Sequence, residues 1–115
     1  MLRKERLKEL RETLCRERIE HSLRVEYWAY DMESLMYKVP YHVLHHNHGP
    51  AYIRYDSFGN VSFKTYQIHG FYHNEHGPAM VGLDRGVYVE KYFLLGEQVD
   101  KELFESPGFI ASVVD

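Results

Sequence analysis

The sequence predicts an α+β fold: an N-terminal amphipathic helix, an antiparallel sheet of tandem β-hairpins, and a short C-terminal helix. Three observations predict it. The first two dozen residues are strong helix formers. A His-x-x-His-Gly-Pro-Ala segment then occurs twice, at His45–Ala51 and at His73–Ala79, each time followed by strand and turn signals. After Gly96 the pattern gives way to a short helical run with its own stop signal.

Residues 1–22 are expected to form the helix. Leu, Glu, Lys and Arg dominate, and no Gly or Pro occurs before Pro40. Glu12 with Arg16, and Glu20 with Arg24, are i,i+4 pairs with the acid on the favourable N-terminal side. Leu7, Leu10 and Leu14 form a stripe at helical spacing, but Glu17 and His21 follow at the next seam positions. The stripe is too short for a coiled coil. It suits docking on the chain's own sheet, or a homodimer formed through the helix.

Residues 23–99 are expected to form the sheet. Residues 22–39 read as a degenerate hairpin, with Val25, Tyr27 and Ala29 on one parity and a return run Leu35–Val39 closed by Pro40. A helix continued through Met36 is the alternative. The clear repeats span 45–70 and 73–96. Each runs from Gly-Pro-Ala into a short strand, Tyr52–Tyr55 or Met80–Leu83. A turn containing Gly59 or Gly86 follows, then a second strand, Val61–Ile68 or Val87–Leu94. Gly49, Pro50, Gly77 and Pro78 complete the set of structural repeat residues. Both second strands switch the parity of their apolar residues midway, which predicts a β-bulge. In the last segment, 100–115, Asp100 is a candidate N-cap, Leu103 and Phe104 are expected to face inward, and Ser106-Pro107-Gly108 ends the helix. The apolar run Phe109–Val114 is suited to covering a sheet edge.

These repeats resemble MORN-like arrays, whose unit is a His, a few polar residues, Gly-Pro-Ala, a strand, an Asp-Gly turn and an aromatic-rich strand. The resemblance covers roughly residues 40–105, and Gly49-Pro50-Ala51 and Gly77-Pro78-Ala79 carry it. His69-Gly70 and Leu95-Gly96 stand where the family usually shows Asn-Gly. The resemblance implies a curved sheet of stacked hairpins and a binding role. It also implies a setting, since such arrays are frequent in uncharacterised proteins of tailed phages and large DNA viruses.

Composition bounds the function. Of 115 residues, 17 are acidic and 14 are Lys or Arg, giving a formal charge of −3. The charge is segregated: residues 1–24 carry eight bases and five acids, and the rest carries six bases and twelve acids. A basic arm on an acidic body could steer association, but it is not the clearly basic footprint of a nucleic-acid binder. The single cysteine, Cys15, excludes an intrachain disulfide and suits a reducing cytoplasm, and no apolar run is long enough to span a membrane.

Candidate chemistry is sparse. Seven of the eight histidines lie between His42 and His76, and imidazoles suit zinc, copper or nickel. No cysteine accompanies them, and the repeat explains His45, His48, His73 and His76 as turn residues bonding to backbone. Asn47 and Asn74 beside histidines suggest a His-Asn-His nuclease, but each run leads into a strand where that site needs a helix. Cys15 lies among arginines, but His21, its nearest histidine in sequence, is at a different angle of the same helix. No catalytic residue, metal site or cofactor is therefore assigned. The expected function is non-enzymatic protein binding, in the form of a phage or viral accessory protein acting on a host protein. The alternative is a nucleic-acid module using the basic helix and aromatic strands. Tyr52, Arg54, Tyr66, Tyr88 and Tyr92 are the candidate binding residues.

Overall fold

A computed structural model describes residues 17–31, 41–46 and 48–114. Among these residues, ten strands and two short helices follow in chain order: β1 Glu17–Glu20, β2 Arg24–Asp31, β3 Tyr41–Leu44, β4 Tyr52–Tyr55, β5 Val61–Thr65, β6 Gln67–Ile68, β7 Phe71–Tyr72, β8 Met80–Asp84, β9 Val87–Leu94, β10 Glu97–Val99, α1 Lys101–Phe104 and α2 Phe109–Val114. The main sheet is antiparallel in the order β1-β2-β4-β5-β8-β9-β10, with β3 also paired to β2, and β6 and β7 form a separate pair.

The expected helix over 1–22 is corrected at its C-terminal end. Glu17–Glu20 is a strand in register with β2, Glu17 opposite Trp28 and Glu20 opposite Val25. Helix propensity is a weak prior of a few tenths of a kcal/mol per residue, and a full ladder against β2 overrides it. Residues 1–16, with the leucine stripe, Cys15 and the homodimer expected through them, lie outside the described residues. The degenerate hairpin has β2 as its first strand, which excludes helix there. Its return strand is Tyr41–Leu44, beyond Pro40, with Trp28 opposite Leu44 and Asp31 opposite Tyr41. The expected return run Leu35–Val39 lies outside the described residues.

The repeat is visible in the backbone. In the first unit, the His45 N–H donates to the Tyr27 carbonyl at 2.9 Å and the Ala51 carbonyl accepts the Tyr27 N–H at 2.8 Å. In the second, His73 and Ala79 bracket Tyr66 in the same way, at 3.0 and 2.7 Å. Both segments are therefore excursions that leave a strand and return to it opposite one tyrosine. This accounts for the parity switch in the sequence. The extra residues lie in the partner segment, and the change of partner falls at Tyr66, between β5 and β6. A separate register shift occurs between Arg54 and Tyr55, where the Ser62 hydroxyl donates to the Arg54 carbonyl at 3.1 Å.

Each unit closes on a two-residue hairpin turn, His69-Gly70 or Leu95-Gly96, with positive φ at both positions: 49° and 83°, then 49° and 85°. This is the mirror-image turn whose twist matches the flanking strands. The third such turn, Arg85-Gly86, joins β8 to β9.

The array stops where a histidine is missing. Val99 pairs with Tyr92 at the position His73 holds against Tyr66, and Asp100 then starts α1. Asp100 occupies the N-cap position but makes no side-chain capping bond, and Leu103 is exposed, so only Phe104 of the expected inward pair is buried. Phe104 packs on Tyr92, their rings 4.7 Å apart. Val113 of α2 joins Ile68, Leu94 and Leu95 in the same core, with Phe109 and Ile110 packed beside it. No helix among the described residues is long and apolar enough to cross a membrane.

Gly82, at φ 128°, separates two kinds of glycine. A Cβ there would lie 2.3 Å from the Ser62 carbonyl oxygen and 2.6 Å from the Phe63 Cα, whereas one at Gly59 or Gly86 would meet nothing within 4 Å. Gly82→Ala should lower stability by more than about 2 kcal/mol in denaturant unfolding, and Gly86→Ala by only about 1 kcal/mol, the left-handed backbone cost alone. Equal losses would contradict the close approach of β5 and β8.

Candidate functional site

The two excursions project side by side and enclose a cleft of about 600 Å³. One wall is His46, His48 and Gly49, and the other is Asn74, Glu75 and His76, with Tyr66, Ile68 and His73 between them. Pro50 and Pro78, which follow Gly49 and Gly77, have no N–H to contribute, which suits a segment that has left the ladder.

The base of each excursion is a buried histidine. His45 is fully buried, and its Nδ1 accepts the His69 backbone N–H at 2.7 Å. His73 Nδ1 accepts the Leu95 N–H at 2.9 Å. A ring that accepts at Nδ1 carries its proton on Nε2. In His73 that atom is buried without a hydrogen bond, and the Glu75 carboxylate lies 3.4 Å away. Both histidines are expected as turn residues bonded to backbone. They do bond backbone, but from within the core and to the turn that closes their own unit.

The tips differ between copies. Asn74 accepts the His76 N–H at 3.0 Å and donates to the Pro78 carbonyl at 3.1 Å. His46 takes that role in the first unit, its Nδ1 accepting the His48 N–H at 3.3 Å, with its ring 4.4 Å from that of Tyr27. Burial holds the His46 imidazole below its ordinary value, and the neighbouring His48 adds to the effect against an opposing hydrogen bond to the Gly49 backbone. Among the described residues no group of three or more His, Cys, Asp or Glu side chains is placed to hold a metal ion.

The opposite end of the sheet carries three turns, over 21–23, 56–60 and 85–86. Asp56 organises the middle one, its carboxylate accepting the N–H groups of Phe58 and Asn60, both at 2.9 Å. Phe58 is left 89% exposed at the tip, and Leu23, Val61, Leu83, Val87 and Tyr88 are also exposed around this end.

The candidate binding residues fall in different places. Tyr88 is 62% exposed, and its hydroxyl donates to Glu90 at 2.8 Å, which holds its proton on above the ordinary tyrosine value. Tyr66 lines the cleft, with the Lys64 ammonium 5.7 Å from its ring. Tyr52 is half-buried edge-on to Phe63. Arg54 lies over Phe63, 4.9 Å from the ring, and reaches across Gly82 to donate to the Leu83 carbonyl. Tyr92 is corrected: it is 8% exposed, because α1 covers it, and it serves the core. Phe58 was missed, since Asp-Ser-Phe-Gly-Asn reads as a turn and a turn position does not reveal how far its ring projects. Comparison with protein-family models, with curated proteins and with solved structures finds no match for this chain.

Two outcomes are expected here. His73→Ala should cost about 1–3 kcal/mol by orphaning the buried Leu95 N–H, and should speed hydrogen exchange at that amide. A variant with unchanged stability would contradict the clamp. The second concerns pH. Because His46 binds its proton less readily folded than unfolded, its contribution is present above the ordinary histidine value and is lost as pH falls through the lowered folded value. His46→Asn, which copies Asn74, should flatten the fall in unfolding midpoint over that window.

Proposed function

We propose that the chain is a non-enzymatic binding module that takes another protein at the three-turn end of its sheet. In the setting implied by the repeat resemblance, it is a phage or viral accessory protein and the partner is a host protein. The supporting observation is the exposure of Phe58. A phenylalanine buries roughly 150–250 Å² when covered, and at about 25 cal/mol per Å² its full burial would be favourable. This ring lies outside the core, on a backbone pinned by Asp56. A rigidly presented aromatic loses little freedom on association, which is how binding surfaces place their anchors. Leu23, Val61, Leu83, Val87 and Tyr88 extend the apolar surface around it.

Exposure also makes the test clean, because removing these side chains disturbs little of the fold. Phe58→Ser with Tyr88→Ser should leave the denaturation midpoint within about 0.5 kcal/mol of the parent. It should weaken partner binding by about thirtyfold or more, the effect of losing a central aromatic anchor. A photo-crosslinking residue at position 58 should label one protein in a host-cell extract. Labelling that disappears after nuclease treatment would favour the nucleic-acid reading instead.

A further inference from the structure

Beside the three-turn end is a hollow of about 310 Å³ lined by His21, Ser22, Leu23, Arg24, Tyr52 and Arg54. Arg24 and Arg54 are direct register partners on adjacent antiparallel strands. Like charges in that relation are unfavourable, and an anion beside them would relieve the repulsion. Phe63 and the Leu83 carbonyl draw the Arg54 guanidinium to the far side, leaving Arg24 on the near side with its side chain 48% exposed. Among the described residues, the carboxylate in contact with Arg24 is Glu26. A single oxygen of it lies 2.9 Å from His21 Nε2 and 3.9 Å from Arg24 Nε. His21 and Arg24 therefore already converge on an oxyanion, through a contact that is long for Arg24.

We propose that this hollow binds the phosphate of a phosphorylated side chain on the partner protein. Guanidinium, imidazole, the Ser22 hydroxyl and the Tyr52 hydroxyl form a donor set suited to a compact dianion. The chain beyond residue 24 carries twelve acids against six bases, which disfavours an extended phosphate backbone running along the sheet from the hollow. Leu23 lines the hollow and is also one of the exposed apolar residues. The phosphate would therefore sit next to the apolar contact. The proposal rests on the protein-binding reading for the source of the phosphate, while the hollow itself can be tested without any partner.

The test is a titration followed by amide ¹H–¹⁵N chemical shifts, using inorganic phosphate, then a short phosphoserine peptide, its unphosphorylated form and a single-stranded oligonucleotide. Saturable shifts at His21–Arg24, Tyr52 and Arg54 are expected with phosphate and with the phosphopeptide, and none with the unphosphorylated peptide or with chloride at equal ionic strength. Arg24→Gln should weaken binding at least about fivefold, and Glu26→Gln, which removes the competing carboxylate, should tighten it. Phe58→Ser should leave the phosphate titration unchanged, so failure of the hollow and failure of the apolar end are separable. Linear shifts, indifference to Arg24→Gln, or tighter binding of the oligonucleotide than of the phosphopeptide would overturn the proposal.

Discussion

Much of this fold depends on a buried imidazole that accepts a backbone N–H from a left-handed residue. His69 and Leu95 occupy positive φ without the help of glycine, which costs about 1–2 kcal/mol each. In that conformation their N–H groups point away from the ladder and need another acceptor. His45 and His73 supply it at 2.7 and 2.9 Å. The same bond fixes the imidazole, anchors the first residue of each excursion and sets the distance from one unit to the next. Neighbouring backbone bonds follow the same plan: Gly70 donates to the Leu44 carbonyl as Gly96 donates to that of Tyr72, both at 2.8 Å.

The two ends of the sheet follow from this arrangement. Residues that leave the ladder between His and Ala form the cleft, because two clamped histidines place two excursions beside one another. The β1–β2, β4–β5 and β8–β9 connections fall at the other end, away from the clamps. Phe58, Tyr88 and the Arg24 hollow lie at this second end. Gly82 contributes by letting the β8 backbone approach that of β5 at Ser62 and Phe63, closer than any Cβ would allow. Where Val99 replaces the histidine there is no acceptor for a further turn, and the chain caps its sheet with two short helices over Tyr92 and Leu94.

The repeat was legible because its markers are chemical necessities. Glycine is needed at positive φ, proline suits a segment outside the ladder, and aromatic or β-branched residues fill the strands. The same local logic misread Glu17–Glu20, whose helix-forming residues are held in a strand by pairing with β2, a non-local partner that periodicity does not reveal. Tyr92 is expected as a binding residue and Phe58 only as a turn residue for a similar reason. An aromatic in a strand can be anchor or core, and only the position of α1 makes Tyr92 core. The turns His69-Gly70 and Leu95-Gly96 are visible in the sequence, but the acceptors that hold them lie 24 and 22 residues away in the two histidines.

The most direct test of the central claim is the ¹⁵N spectrum of the imidazole rings in the folded protein. His45 and His73 should each show an unprotonated, hydrogen-bonded Nδ1 and a protonated Nε2, with a coupling across the hydrogen bond from the His69 and Leu95 amides. Protonated Nδ1 in either ring, or no coupling to those amides, would contradict the clamp on which this account of the repeat is built.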